Sequence, residues 1–281
     1  MRDETFSFEI EADIYRISRR PNHQQIVVND GYRGVRLLDP AEGCTIAKVP
    51  FTEPYARTGV IAGWCLRADG DAIVVFDDDE RRGCWLSMMD GRASDVVHTP
   101  WPLTGAMPYD WRGDTLWLKD PDGFRFGSLS QSGAQQGMTE RDGNDVLQEN
   151  RGWRRAIDRL RRIGAHCVRV EPEHGRMLVA RASDSSVGII GWLDQPELVV
   201  PGPERMTHMA AHRQQLIVMC EYEAQLLDEA GRVQRRFAAP DGFHFVGLDT
   251  LPATGARSAV VVLAAQALGE RLVTRFGLYA L

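Results

Sequence analysis

The sequence predicts an all-β fold, a single β-propeller of six four-stranded blades spanning residues 1–281, and three observations predict it. Short apolar strands recur along the whole chain at a step close to the ~40 to 45 residues of one propeller blade. The turns between them carry the Gly, Asp and Pro chemistry of tight hairpins. The last copy of the repeat supplies only three strands, while the chain opens on an orphan strand, Thr5 to Ile10, that can complete it.

The clearest copy covers residues 12 to 49. An apolar strand around Ile14 to Ile17 leads through a turn at Arg20 to His23 into the strand Gln25 to Asn29. The turn Asp30-Gly31 gives the strand Val35 to Asp39, and a Pro-Ala-Glu-Gly turn gives Cys44 to Val49. A second copy runs from Val60 to His98, with Ile73 to Phe76 and Cys84 to Met89 as central strands and a closing turn at Asp90-Gly91. A third spans about 105 to 138, with Thr115 to Leu118, the hairpin signal Asp120-Pro121-Asp122-Gly123, and Phe124 to Leu129. Further copies lie at 164–200, 205–239 and 242–280, with central strands Met177 to Ala180, Leu216 to Met219 and Ala259 to Leu263. Pairing the orphan strand with the last copy closes the ring and removes the edges that an open stack of sheets exposes. Six blades fit best, and seven is the alternative count.

The segment Gly34-Val35-Arg36-Leu37-Leu38-Asp39 followed by Gly43 resembles WD-repeat propellers. The resemblance runs over nearly the whole chain and implies a propeller scaffold. No copy ends in Trp-Asp, and none carries a Gly-His pair before its first strand.

One stretch breaks the strand rhythm. Within an insertion at about 140–163, between the third and fourth copies, Val146, Trp153, Ile157 and Leu160 recur at helical spacing after an Asn144 or Asp145 cap. The opposite side holds Arg151, Arg154, Arg155, Arg159, Arg161 and Arg162. A charged helix face is usually only solvated; the functional alternative is an arginine-rich surface for an acidic partner.

Composition bounds the role. The chain is 43% hydrophobic and 26% charged, ordinary for a globular domain, and its net charge of −6 excludes a general nucleic-acid or anionic-membrane binder. Of 33 basic residues only Lys48 and Lys119 are lysine, a bias that reads as a GC-rich bacterial genome. Five scattered cysteines with no Cys-x-x-Cys pair predict reduced thiols. The acidic start has no signal-peptide pattern and no run reaches membrane length, so a cytoplasmic location is expected.

In a propeller, the loops between second and third strands emerge on the same side as the loops between blades, so their chemistry adds. Here they hold Asp30, then Asp77, Asp78, Asp79 and Glu80, then Asp120 and Asp122, Asp184, Glu221 and Glu223, and Glu270. Asp is favoured in tight hairpins for its own reasons. The run from Asp77 to Glu80 asks for more, since four successive acids need water, a cation or a basic partner nearby. Aromatic residues of the kind that anchor interfaces also fall in loops: Phe51 and Tyr55, Trp101 and Tyr222. His166, His208 and His244 start the first strands of the last three copies, where imidazoles converging on a central funnel would suit a divalent transition metal. The bland alternative is that each packs between blades. No Gly-x-Ser-x-Gly elbow, phosphate-binding loop or dinucleotide fingerprint is present. The expected function is therefore a non-enzymatic platform for protein partners that needs no cofactor. A funnel-site enzyme acting on a small molecule, metal-assisted through the three histidines, is the alternative.

Overall fold

The computed structural model describes residues 6–31, 33–51, 70–71 and 206–281 (except 213–214, 229, 254–258, 268 and 270–271), and, in between, the strands named below. Among the described residues all pairings are antiparallel and the strands form six four-stranded sheets. The first holds β2 (Ile17–Arg19), β3 (Ile26–Asn29), β4 (Gly34–Asp39) and β5 (Cys44–Pro50). The second holds β6 (Ile61–Leu66), β7 (Ala72–Asp77), β8 (Arg82–Ser87) and β9 (Val97–His98). The third holds β10 (Met107–Arg112), β11 (Thr115–Lys119), β12 (Arg125–Ser130) and β13 (Met138–Asp142). The fourth holds β14 (Ala165–Glu171), β15 (Arg176–Arg181), β16 (Ser186–Gly191) and β17 (Leu198–Pro201). The fifth holds β18 (His208–His212), β19 (Gln215–Met219), β20 (Glu223–Leu227) and β21 (Val233–Ala238). The sixth holds β22 (Phe243–Leu251), β23 (Val260–Ala267) and β24 (Val273–Ala280). Its fourth member is β1 (Phe6–Glu11), which pairs with β24, so the opening segment completes the last sheet as expected.

Boundaries shift in places. Ile14 is fully buried, but the strand expected from it begins at Ile17. The third strand of the second copy sits at Arg82–Ser87, two residues before the Cys84 to Met89 expectation. Residues 140–142 of the expected insertion belong to β13, and its helix, with Arg154, Arg155 and Arg159, lies outside the described residues.

β23 explains how consecutive sheets share a core. Val261, Leu263 and Ala265 pack with Ala210, Ile217 and Met219 of the fifth sheet. Val262 and Ala264 pack instead with Ile26, Val28 and Leu38 of the first. A strand buried on both faces reads as an unbroken apolar run, as Val260 to Ala265 does.

The first strands of neighbouring sheets approach closely. β22 lies against both β2 and β18, and β18 lies against β14. Successive side chains of β22 serve opposite neighbours: the buried Asp249 carboxylate accepts from Arg19 N at 2.7 Å, and the Thr250 hydroxyl donates to Ala211 O at 3.3 Å. Trp64 Nε1 donates to Ser18 Oγ at 2.8 Å, linking β6 to β2. Arg20, buried, clamps the same pair of sheets by donating to Gly70 O at 2.7 Å, Gln25 Oε1 at 2.7 Å and Asp71 Oδ1 at 2.9 Å. In β6, β10, β14 and β22 the register shifts by one residue near the strand's start. Such a bulge bends the strand and re-aims its side chains.

Two turns repeat one device. Asp39 Oδ1 accepts from Ala41 N and Glu42 N before Gly43, and Asp228 Oδ1 accepts from Ala230 N and Arg232 N around Gly231. Both glycines have positive φ (63° and 75°). The repeat is written in the sequence as Leu-Leu-Asp-Pro-Ala-Glu-Gly (37–43) and Leu-Leu-Asp-Glu-Ala-Gly (226–231).

Gly247 is required where β22 meets β2, because a Cβ there would lie 2.4 Å from Ile17 Cγ2, and a β-branched side chain has little freedom to yield. Gly247→Ala is expected to destabilise the protein by about 1 to 3 kcal/mol. Denaturant unfolding of the Gly247→Ala and Gly247→Ala/Ile17→Ala pair checks this: the second change should recover part of the loss. Asp228 gives a pH prediction. Backbone and side-chain hydrogen bonds from Arg232, with one from Ala230, hold its carboxyl below the ordinary carboxylate range. A folded-state value below the unfolded one means a stabilisation complete above the unfolded carboxylate range and lost as pH falls through the lower folded value. Carboxyl-carbon NMR should show Asp228 titrating below its free-peptide position, and Asp228→Asn should lower stability at neutral pH and flatten its fall on the acid side.

Candidate binding face

Among the described residues, three contacts place the β3–β4 loop, the β19–β20 loop and the end of β23 at the same end as segments that lead into or begin first strands. Phe51 N, just after β5, donates to Arg33 O in the β3–β4 loop at 2.9 Å. Phe245 N of β22 donates to Glu221 O in the β19–β20 loop at 2.7 Å. Gln266 Nε2 at the end of β23 donates to Asp13 Oδ1, before β2, at 2.7 Å.

At this end the side chain that organises the first sheet is Asn29, 0% exposed. Its Oδ1 accepts from Tyr15 N at 2.8 Å and Arg16 N at 2.9 Å, and its Nδ2 donates to Asp13 O at 2.6 Å and Gly31 O at 3.1 Å. The amide thus uses all four of its hydrogen-bonding positions to fasten the segment before β2 onto the turn after β3. The only signal in the sequence is a polar residue closing the run Ile-Val-Val-Asn.

The acids expected on this face are partly neutralised. Asp30 is paired with Arg36 Nη2 and stands 3.9 Å from Lys48 Nζ. Glu223 is 2.5 Å from Arg236 Nη1. Asp77 ends β7, while Asp78, Asp79, Glu80, Asp120, Asp122, Asp184 and Glu270 lie outside the described residues.

Among the expected aromatics, Phe51 is buried and so closes the end of the first sheet. Tyr222 does the opposite, standing 51% exposed. Its loop is pinned: Tyr222 O accepts from Ala239 N at 3.0 Å, and the neighbouring Glu221 O is held by Phe245. The phenol donates to the Glu221 carboxylate, which with partial desolvation holds it above the usual tyrosine range. Tyr55 and Trp101 lie outside the described residues. Next to Tyr222, Cys220 is a poor nucleophile, since burial and the Glu223 charge both push its thiol up.

The three histidines lie at or next to the start of the first strands of consecutive sheets. His166 is second in β14, His208 first in β18 and His244 second in β22. His244 Nδ1 is buried without a hydrogen-bond partner among the described residues. The His166 side chain lies outside them, and no three His, Cys, Asp or Glu side chains within them converge as a metal site. No helix among the described residues is long and apolar enough to cross a membrane.

No protein-family model matches the chain, and no curated protein matches its sequence. Its structure is similar to the β-propeller domain of Cps50 (Swd1) from Myceliophteria thermophila, with a TM-score of 0.60 over 98% of this chain and 99% of that one at 10% identity. The chain has a β-propeller fold. This agrees with the WD-repeat-like pattern of the sequence. Hsv2 from Kluyvelomyces marxianus matches at 7% identity over 92% of this chain and 73% of that one, with a TM-score of 0.44. A nidogen/laminin complex matches at 11% identity over 82% of each chain, with a TM-score of 0.49.

In a propeller the mutual approach of β14, β18, β22 and β2 marks them as the inner strands, so Asn29 and Asp249 anchor the first sheet's inner edge. Asn29→Ala would leave the Tyr15 and Arg16 amides short of their acceptor, at an expected cost of roughly 3 kcal/mol. Chemical denaturation measures the loss, and amide hydrogen exchange should localise it to residues 13–16 and 30–31.

Proposed function

We propose that this propeller is a non-enzymatic protein-interaction platform in a bacterial cytosolic assembly, with no cofactor. The reading takes residues 1–281 as one ring of six blades, seven being the alternative count, with a helical insertion at about 140–163 carrying Arg154, Arg155 and Arg159. The observation that carries it is Tyr222, a half-exposed aromatic on a loop whose backbone is already fastened. An anchor held in place before binding loses little conformational entropy on contact. Tyr55, Trp101, the Asp77 to Glu80 run, Asp120 and Asp122 are assigned to the same face as further partner contacts. The low net charge argues for proteins over nucleic acid or anionic membrane.

A second reading, a funnel enzyme with a divalent metal on His166, His208 and His244, has one observation in its favour: the buried Nδ1 of His244 without a partner among the described residues. Elemental analysis of the purified protein, with His244→Ala as comparison, separates the two. A stoichiometric metal lost in the variant supports the second reading.

Affinity capture from the native host tests the first. Tyr222→Ala should weaken at least one specific partner by about 2 kcal/mol or more while leaving the melting temperature unchanged. Neutralising Asp77 to Glu80 should remove a basic partner. An unchanged partner set in both variants overturns the reading.

A further inference from the structure

A cleft of about 290 Å³ opens between β1 of the last sheet and the β4–β5 hairpin of the first; β1 lines it with Phe8, Glu9, Ile10 and Glu11, and the hairpin with Arg36, Gly43, Cys44, Thr45 and Lys48. That volume sits at the lower end of small-ligand pockets.

Its electrostatics are basic on the side that faces inward. Arg36 and Lys48 are direct partners across the β4–β5 ladder, so both side chains leave the same face of the sheet. That face looks toward β1, because Leu38, two residues from Arg36, shares a core cluster with Ile10 and Phe276. On the opposite wall Phe8 stacks on Phe276 at 4.8 Å between ring centroids. Strand alternation then turns Glu9 and Glu11 away from the hairpin. Glu9 is engaged there with Arg275 at 3.2 Å. On the hairpin side two cations, Arg36 and Lys48, share the single carboxylate of Asp30, while the Glu9 and Glu11 carboxylates belong to the other face of β1.

Arg36 is unusual beyond its charge. It is 8% exposed, its Nη2 is held by Asp30, and its Nε is buried without an acceptor among the described residues. A buried charged donor lacking a partner is costly, which makes the position receptive to an oxyanion. Gly43 keeps the aromatic wall accessible at the hairpin's end. A Cβ there would come within 3.1 Å of Phe8 Cβ, and φ is +63°.

We propose that this cleft binds a small organic anion, a carboxylate or phosphate bearing an aromatic body, with the oxyanion between Arg36 and Lys48 and the body against Phe8. The site meets the loop face only through Asp30, and the test below is a small-molecule titration that leaves Tyr222 unaltered, so its outcome leaves the partner-binding reading untouched.

Phenyl phosphate and benzoate, each titrated against protein with ¹⁵N-labelled arginine, provide the probes, with the Arg36 Nε–H resonance as readout. Saturable shifts in the millimolar range are expected, and the tighter of the two probes assigns the head group as phosphate or carboxylate. Lys48 is more than half exposed, so Lys48→Met folds normally and is expected to weaken binding about tenfold, the loss of one charge-assisted contact. Inorganic phosphate should bind more weakly than phenyl phosphate. Absence of a saturable shift with both probes, or equal affinity in wild type and Lys48→Met, overturns the proposal.

Discussion

The pairing of β1 with β24 is the constraint on which the remaining architecture leans. It joins residues near both ends of the chain, in the register Glu9 to Arg275 and Ile10 to Thr274. Without it the last sheet would have three strands and β24 would present an unpaired edge, the feature that sheet proteins guard against. Local pairing cannot supply this contact, because the closure entropy of so long a loop must be offset by packing. The offset is visible in the Phe8 and Phe276 stack, in Ile10, and in Thr274, whose hydroxyl donates to Ala12 O at 3.1 Å. β1 thereby becomes one wall of the seam against the first sheet, and the cleft beside Arg36 exists only because that wall is there.

Inside the seam, polar groups do the aligning and apolar groups supply the burial. β22 shows the division most clearly. Leu248 and Leu251 belong to the cores on its two sides, while Asp249 and Thr250 hydrogen-bond the backbones of β2 and β18 respectively. Apolar contact alone tolerates sliding of one sheet over another; a buried carboxylate that must meet one particular amide does not, because a slip leaves it unpaired at high cost. Gly247 sets the distance of approach, and its neighbours set the register.

The strands and the closing segment were legible in the sequence because their signals are local: alternation, apolar runs, and Asp-Gly turns. The match of Thr5–Ile10 with Phe6–Glu11, or of Gln25–Asn29 with Ile26–Asn29, follows from turn chemistry at their ends. What was not legible depends on the third dimension. Asn29, Arg20 and Asp249 look like polar residues at strand margins, and nothing in their neighbourhoods reveals that each reaches a separate segment. In the sequence Arg36 is only one residue of a strand pattern, yet its significance comes from β1, on another sheet and earlier in the chain. Phe51 and Tyr222 are the same kind of residue in the same kind of loop, and only packing separates the buried one from the exposed one.

That separation changes how the loop face is to be understood. A count of acids by sequence suggests a field that sums over every blade. Where the side chains are described, the acids are occupied: Asp30 by Arg36 and Lys48, Glu223 by Arg236, Glu221 by the Tyr222 phenol. Paired charges at short range cancel at the distances over which a partner is steered, so they rigidify the loops more than they attract. A rigid loop with its charges satisfied presents shape and an aromatic ring, which favours selectivity through contact over long-range attraction. The Asp77 to Glu80 run differs in kind, since four consecutive acids outnumber the two arginines that follow them, Arg81 and Arg82, and leave a net negative charge in the sequence there.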